Sequence, residues 1–349
     1  MAQATLSIDR DALARNWRAL DRLSSDNVET AAVVKADAYG LGADVVAQTL
    51  AEAGARTFFV AIAEEGVAVR RALGTAPRVF VFAGHMPGDA EIIAENGLIP
   101  LLNSADQFVR HRQALPGHPF GIQLDSGMNR LGIKKDVWSE HASNILAAGP
   151  ALLMSHLASA DDAADPMNAA QLGAFRKMTE GTVIPRSLAA TDGIALGRDY
   201  HFDLTRPGIA LYGGAATRGT GAVVRLSIPV IQDHWLEAGE TVGYGGTWKA
   251  TARTRAATVS AGYADGLLRS MSGRTALYHG DAACPVLGRV SMDLITVDVT
   301  HLPTVPDTLD ILCPAQGVAT LAKAAGTIPY EILTSLGPRY RRRYVRGGA

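Results

Sequence analysis

The chain has 349 residues, of which 48% are hydrophobic and 19% charged, and its formal net charge is −1. This composition argues against disorder and favours a globular protein with more than one domain. A charge so close to zero provides no long-range field for nucleic acid or for an anionic membrane, so we predict neither partner. Two cysteines do not make a disulfide scaffold, and the first ten residues lack a signal-peptide pattern, so we expect a cytoplasmic protein with reduced thiols.

Apolar runs alternate with amphipathic helical stretches over the first two hundred residues. Continuous apolar runs are typical of strands that are buried on both faces. Eight β-then-α units of this kind predict a (β/α)8 barrel. The predicted strands cover residues 31–34, 57–63, 78–83, 98–102, 120–124, 151–156, 186–190 and 202–205. The clearest predicted helices cover residues 43–53, 63–73, 105–114 and 166–179.

The pattern changes after Gly214, where short β-branched segments are separated by Gly, Pro or Asp. This spacing predicts a second, mainly β domain. Its predicted strands cover residues 223–231, 256–260, 275–278, 283–287 and 294–299. A further short strand is predicted over residues 2–8, before a helix capped by Asp9 or Asp11. We therefore predict a barrel domain over residues 10–225 and a β domain formed by residues 1–9 and 226–349. The basic segment 339–346 is interpreted as a solvated terminus rather than an RNA-binding tail.

Lys35 ends the first predicted strand, directly after the apolar run 31–34. A lysine in an apolar run is costly to bury unless it has a partner or a chemical role. Because a lysine amine forms a Schiff base with an aldehyde, Lys35 is a candidate for covalent attachment of pyridoxal phosphate. The alternative is a structural lysine with a buried stem whose amine reaches water.

Polar side chains also follow other predicted strands. Arg130 follows the fifth strand, His156 is the last residue of the sixth, and Thr191 and Arg206 come at the ends of the seventh and eighth. In a (β/α)8 barrel the carboxyl ends of the strands share one face, and active sites lie there, so these residues predict one site. Glycines after strands seven and eight let backbone N–H groups approach a phosphate, although such glycines also occur in plain turns.

The segment 33–42, Val-Val-Lys-Ala-Asp-Ala-Tyr-Gly-Leu-Gly, is similar to the cofactor-lysine signature of alanine racemases. Five further blocks resemble that family in the same order, at residues 125–132, 155–156, 205–213, 262–266 and 288–293. The resemblance extends over essentially the whole chain. It implies a pyridoxal-phosphate enzyme with a (β/α)8 barrel and a C-terminal β domain. It also implies a homodimer in which each β domain contributes to the partner's active site.

The implied reaction interconverts L-alanine and D-alanine, supplying D-alanine for peptidoglycan or degrading it. By this resemblance, Lys35 would hold pyridoxal 5'-phosphate and act as one base. Tyr263 from the partner would act as the second base on the opposite face. His156 and Arg206 would assist Tyr263 through a hydrogen-bonded chain, and Arg206 would also contact the pyridine nitrogen.

The remaining implied roles concern the substrate carboxylate and the phosphate. Arg130 and the backbone N–H of Met292 would bind the substrate. The phosphate would be held by Tyr39, Thr191, Gly208 and Ile209. No metal is expected.

Four positions depart from the usual family pattern, one of them Ser291, which stands in place of a cysteine. Gln123 stands where many members carry a carbamylated lysine, and we expect its amide to orient Arg130 by hydrogen bonding. Ala190 replaces an asparagine. Pro338 falls where a phosphate-contacting tyrosine is usual, with Tyr340 as a nearby substitute.

Two alternatives to alanine racemisation remain at this point. One is a broad-specificity pyridoxal-phosphate amino-acid racemase on the same fold. The other is a non-catalytic pyridoxal-phosphate carrier. Single-domain carriers lack the β domain, so blocks 262–266 and 288–293 argue against the second alternative.

Overall fold

The computed structural model describes residues 3–215 and 217–347. Residues 1–2, 216 and 348–349, which belong to the predicted domains and in part to the predicted strand 2–8, lie outside this description. The strands in chain order are β1 (Thr5–Asp9), β2 (Glu29–Thr30), β3 (Ala32–Val33), β4 (Thr57–Val60), β5 (Arg78–Val81), β6 (Ile99–Leu102), β7 (Gly121–Gln123), β8 (Leu153–Met154), β9 (Arg186–Ser187), β10 (Leu204–Thr205), β11 (Val224–Leu236), β12 (Thr241–Val242), β13 (Trp248–Lys249), β14 (Thr254–Val259), β15 (Ala276–His279), β16 (Ala282–Leu287), β17 (Ile295–Asp298), β18 (Thr308–Leu312) and β19 (Arg341–Val345).

The helical segments follow the predicted spacing in the first half of the chain. They are α1 (Arg10–Asp21), α2 (Lys35–Gly40), α3 (Ala43–Ala53), α4 (Ala63–Leu73), α5 (Ala90–Glu95), α6 (Ala105–Ala114), α7 (Lys135–Ala147), α8 (Pro166–Met178), α9 (Thr191–Ala195), α10 (Val318–Ala325) and α11 (Pro329–Ser335). Asp9 caps α1 by accepting the N–H of Ala12 at 2.9 Å, which satisfies a donor that the helix itself cannot pair. Within the described ranges, no helix is long and apolar enough to cross a membrane.

Parallel strands form a ring in the N-terminal part of the chain. Adjacent parallel pairs connect β3 through to β9 in chain order, and β10 pairs with β2. A parallel bridge between Ala190 and Arg206 links the last two strands, so the ring closes. Strands β4 and β6 are buried along their whole length, because helices cover the outside and packed side chains fill the inside. The predicted (β/α)8 barrel is confirmed.

The second sheet is mainly antiparallel and contains the C-terminal strands. The long strand β11 pairs with β1, β14 and β18. Six strands close into a ring in the order β11, β14, β17, β16, β15 and β18, while β12 and β13 form a separate two-stranded sheet. Strand β1 also pairs in parallel with β19, so the two ends of the chain meet in this sheet. The predicted second, mainly β architecture is confirmed. The exact domain limits stay a prediction.

One continuous apolar core extends from the barrel into the β sheet. Leu6, Phe59, Leu226, Val297 and Leu333 all belong to it and are fully buried. The end of the barrel that carries Lys35 is therefore packed against the C-terminal segments rather than standing alone.

Candidate active site

A cavity of about 340 Å³ lies at the carboxyl end of the barrel strands. Its size falls within the range of about 300–1,000 Å³ that is usual for small-molecule sites. It contains eight of the predicted site residues, namely Lys35, Tyr39, Arg130, His156, Thr191, Arg206, Gly208 and Ile209. The structure thus brings together residues that are up to 174 positions apart in sequence (Lys35 to Ile209).

Lys35 is followed by a left-handed turn. Residues 36–39 have φ values between +53° and +58°, a conformation that costs a non-glycine residue about 1–2 kcal/mol. The carboxylate of Glu65 holds the start of this turn. One of its oxygens accepts the N–H of Ala36 and the other accepts the N–H of Ala61, each at 2.7 Å. Glu65 therefore ties the residue after Lys35 to the end of the neighbouring strand.

The C-terminal strand β19 supports the other end of this turn. The hydroxyl of Tyr344 donates to the carbonyl of Leu41 at 3.0 Å, and Arg342 donates to the carbonyl of Gly40 at 3.1 Å. At Gly42 an added Cβ would lie 2.1 Å from the Tyr344 hydroxyl. A glycine is required there, since the tyrosine occupies the space of a side chain.

The environment of Lys35 favours its neutral amine. Burial and the positive charge of Arg130 lower the pKa of Lys35, while the charge of Glu65 opposes this shift. The Lys35 Nζ lies 5.8 Å from the centre of the Phe82 ring. A neutral amine is the form that attacks an aldehyde and accepts a proton, so this site suits both roles.

Arg206 is a buried cation at the end of β10. Its guanidinium donates to the hydroxyl of Ser187, to the carbonyl of Ser155 at 2.7 Å and to the carbonyl of Leu188 at 3.3 Å. Burial lowers the pKa of Arg206 to about 9, so it remains protonated at neutral pH. Among the described residues no carboxylate forms an ion pair with it, which leaves a positive charge at the cavity wall.

His156 faces the same cavity as a neutral ring. Burial and the charges of Arg206, Arg130 and Lys35 lower the pKa of His156 to about 3. A neutral imidazole both donates and accepts a hydrogen bond, so it can relay a contact between two other groups. The described hydrogen bonds of Arg206 go to Ser187, Ser155 and Leu188, so the chain from Arg206 through His156 stays a prediction.

Backbone donors gather at the end of the cavity formed after β9 and β10. The Thr191 hydroxyl accepts the N–H of Gly208 at 3.0 Å and that of Ala210 at 3.4 Å. A Cβ on Gly208 would lie 2.3 Å from the Tyr39 hydroxyl, so the glycine lets this tyrosine approach the backbone. The hydroxyls of Tyr39 and Thr191 thus meet at the Gly208 backbone, and hydroxyl groups beside a glycine backbone suit a phosphate, the anionic end of pyridoxal phosphate.

One tyrosine of this cavity was not predicted from the sequence. Tyr330, in the first turn of α11, lines the cavity and its ring centre lies 5.9 Å from that of Tyr39. Burial and nearby acidic residues raise the pKa of Tyr330 to about 12, so its hydroxyl remains a donor. Tyr340, the substitute proposed from sequence, is buried elsewhere and does not line the cavity. A helix start at Pro329 was the available signal, because proline favours the first helical position.

The two departures from the family pattern inside the barrel both line the cavity. The Gln123 amide donates to the carbonyl of Leu131 at 3.4 Å, so its described contact is with the backbone beside Arg130 rather than with the guanidinium. Ala190 lies next to Thr191 and contributes no polar side chain.

Tyr263 and Met292 lie apart from the cavity of their own chain. Their side chains are 42% and 53% exposed on neighbouring loops of the β domain. These loops are joined because Tyr263 donates its N–H to the carbonyl of Ser291 at 3.0 Å. The structure therefore groups the two predicted partner-site residues with each other.

Comparison with known proteins agrees with this arrangement. Residues 8–216 match the alanine racemase N-terminal domain, and residues 223–344 match the alanine racemase C-terminal domain. The chain is 63% identical to the alanine racemase of Dinoroseobacter shibae over the full length of both proteins. It is 62% identical to an alanine racemase of Cereibacter sphaeroides over 99% of each chain.

The fold is equally close to solved structures. The crystal structure of the alanine racemase from Bartonella henselae, which carries covalently bound pyridoxal phosphate, matches with a TM-score of 0.93 and 37% identity. This match covers 99% of the present chain and 100% of the other. Alanine racemases depend on pyridoxal phosphate. On the evidence of both domain matches and of these full-length relatives, the chain belongs to the alanine racemase family.

Proposed function

We propose that this chain binds pyridoxal phosphate and interconverts L-alanine and D-alanine by transferring protons on two opposite faces of the substrate. The observation that carries the proposal is that one cavity is lined by Lys35, Arg206, His156 and the hydroxyl-bearing residues Tyr39 and Thr191. The family and the close relatives supply the substrate. The C-terminal domain match argues against a single-domain carrier.

The bound cofactor supplies an electron sink that makes the proton on the substrate Cα acidic. Lys35 holds the cofactor and then serves as the base on one face, a role that its lowered pKa supports. The phosphate would be held by residues that line the same cavity, namely Tyr39, Thr191, Gly208, Ile209 and the newly located Tyr330. Arg206 would contact the ring nitrogen of the bound cofactor, and since a guanidinium retains its proton, it would disfavour protonation of that nitrogen.

The second base comes from another copy of the chain. Tyr263 is exposed on the β domain and absent from the lining of its own cavity, which suits a role in the cavity of a partner. Met292, on the adjoining loop, offers its backbone N–H to the substrate carboxylate beside Arg130. We therefore propose a cytoplasmic homodimer with shared sites, producing D-alanine for peptidoglycan or consuming it.

Mixing two inactive variants tests the proposal. Lys35→Ala and Tyr263→Phe each remove one base, so each homodimer should lose nearly all racemisation. After the subunits are mixed and exchanged, each heterodimer holds one site with both bases, so about a quarter of the wild-type activity should return. Racemisation is followed by chiral chromatography of alanine. If mixing restores nothing, the shared-site proposal is wrong, and if Lys35→Ala alone keeps wild-type activity, Lys35 is not a base.

A further inference from the structure

Arg339, which precedes β19, links two loops of the β domain. Its Nε and Nη2 donate to the two carboxylate oxygens of Asp265 at 2.6 and 2.7 Å. Its Nη1 donates to Asp293 at 2.7 Å. Asp265 follows Tyr263 by two residues, and Asp293 directly follows Met292. One guanidinium therefore holds the loops of both residues that are proposed to reach a partner site.

The same loops are joined through their backbones. Tyr263 donates its N–H to the carbonyl of Ser291, and Ala264 donates to the carbonyl of Met292, both at 3.0 Å. A Cβ on Gly262 would lie 2.2 Å from the Ser291 oxygen, so this approach needs glycine. The two loops form one unit, and the arginine connects that unit to the C-terminal segment.

We infer that Arg339 is a positioning residue that sets where the Tyr263 hydroxyl and the Met292 N–H lie in the site. The inference rests on the proposed function, since it takes Tyr263 as a base and Met292 as a substrate contact. The Tyr263 side chain is 42% exposed, so packing within its own chain fixes it only in part. The anchoring of its loop therefore decides the position of the hydroxyl.

The arrangement of the N–H groups on the Arg339 guanidinium explains why an arginine is needed. Asp265 is 4% exposed, and its carboxylate also accepts the N–H of Gly262 at 2.9 Å. A planar guanidinium can bind this carboxylate with two parallel bonds and still reach Asp293. A lysine keeps the positive charge beside Asp265 but cannot form two parallel hydrogen bonds to its carboxylate. Arg339→Lys should therefore loosen the contact between the two loops while Asp265 still has a cation nearby.

The test separates removal of the α-proton from inversion. Each alanine enantiomer is incubated with the holoenzyme in D₂O, and two rates are measured. NMR follows deuterium incorporation with retained configuration, and chiral chromatography follows inversion. Lys35 lies in the barrel, so its face of the substrate is served independently of Arg339. We expect Arg339→Lys to lower inversion by about 10- to 100-fold, because a small misplacement of a reacting group costs on the order of 10²-fold. Exchange with retention should stay near the wild-type rate for one enantiomer.

A purely structural role would give a different result. Loss of folded enzyme lowers the rates of exchange and of inversion by the same factor. An unchanged ratio of exchange to inversion in Arg339→Lys therefore overturns the inference. Arg225→Lys is the matched control, because Arg225 binds Asp310 through Nε at 3.0 Å and Nη2 at 2.7 Å in the same sheet. The Arg225→Lys variant should keep the wild-type ratio of exchange to inversion.

Tyr263→Phe, measured in parallel, tells failure of the inference from failure of the proposed function. If Tyr263→Phe keeps wild-type inversion, the proposed second base is wrong. If it loses inversion while Arg339→Lys leaves the ratio unchanged, only the positioning inference fails.

Asp293→Asn gives a milder second variant. The Asp293 and Arg339 side chains are 54% and 50% exposed, so folding should be little affected. The substitution weakens only the bond to the Met292 loop, and a several-fold rise in KM for alanine with a smaller change in kcat is expected. An unchanged KM overturns the part of the inference that concerns Met292.

Discussion

At the scale of single residues, the charges around Lys35 deserve comparison. Arg130 and burial favour the neutral amine, and Glu65 is the only carboxylate among the causes of its pKa shift that acts in the opposite direction. Glu65 also accepts two backbone N–H groups that hold the left-handed turn. One side chain thus raises the pKa of Lys35 by its charge and holds the backbone beside Lys35 by hydrogen bonds.

Glu65→Gln should separate these two effects. Removal of the negative charge leaves Arg130 unopposed, so the pKa of Lys35 should fall further. Since the amide keeps only one acceptor oxygen, one backbone N–H loses its partner, and the free energy of unfolding should fall by about 1–3 kcal/mol. The pH dependence of acylation at Lys35 in the cofactor-free protein, read by mass spectrometry, reports the first effect, and urea unfolding reports the second. Glu64→Gln, at an exposed neighbouring position of α4, is the control. A pKa of Lys35 that rises or stays constant would contradict this account.

At the scale of secondary-structure elements, β19 shows what sequence reasoning could not find. Its arginine-rich sequence was interpreted as a solvated terminus, because a short run of charges carries no sign of its partner. In the structure it pairs in parallel with β1, whose residues lie more than 330 positions earlier. A pairing over this distance is decided by the tertiary fold. The barrel strands and helices, in contrast, can be predicted from local apolar periodicity.

Tyr344→Phe should show that β19 supports the turn that follows Lys35. The substitution removes the hydrogen bond to the carbonyl of Leu41, so unfolding should become easier by about 0.5–1.5 kcal/mol. Because the left-handed turn directly follows Lys35 and ends at Tyr39, affinity for pyridoxal phosphate should also fall several-fold, as measured by titration of the cofactor-free protein. Tyr278→Phe makes the same chemical change in β15 of the same sheet and should leave that affinity unchanged. If Tyr344→Phe and Tyr278→Phe lost the same affinity for pyridoxal phosphate, β19 would have no specific role in supporting the site.

At the scale of the whole molecule, prediction succeeded where one local segment carries the information. The barrel positions of Lys35, His156 and Arg206 follow from strand order, because the carboxyl ends of parallel strands share one face. Tyr330 was missed because it reaches the cavity from α11, and nothing local shows that this helix returns to the barrel. Glu65 and Arg339 were missed for the same reason, since their partners are set by tertiary contacts.

The stability of the molecule should also depend on a histidine cluster whose members do not line the Lys35 cavity. His111 is fully buried, and its Nδ1 lies 3.0 Å from Nδ1 of His85 while its Nε2 faces the carbonyl of His118 at 3.1 Å. The Nε2 must carry the proton to donate to that carbonyl, so the Nδ1 of His111 accepts from His85. Protonation of His111 would make its Nδ1 a donor and require the other tautomer of His85, and it would also place a charge on a fully buried ring. The neutral pair is therefore the favoured folded form.

Burial above all, together with the charges of the neighbouring histidines and Arg112, lowers the pKa of His111 to about 4. An unfolded chain takes up this proton near pH 6.5, so the stabilisation is complete above pH 6.5 and is lost as the pH falls toward 4. The loss amounts to on the order of 3 kcal/mol. In His111→Gln the free energy of unfolding should fall less steeply over this range, by up to about 1.4 kcal/mol per pH unit. Urea unfolding at several pH values measures both slopes, with His141→Gln at an exposed position of α7 as the control. If His111→Gln and the wild type lost stability in parallel, His111 would not be the group that titrates, and His85, whose pKa burial also lowers, would become the next residue to substitute.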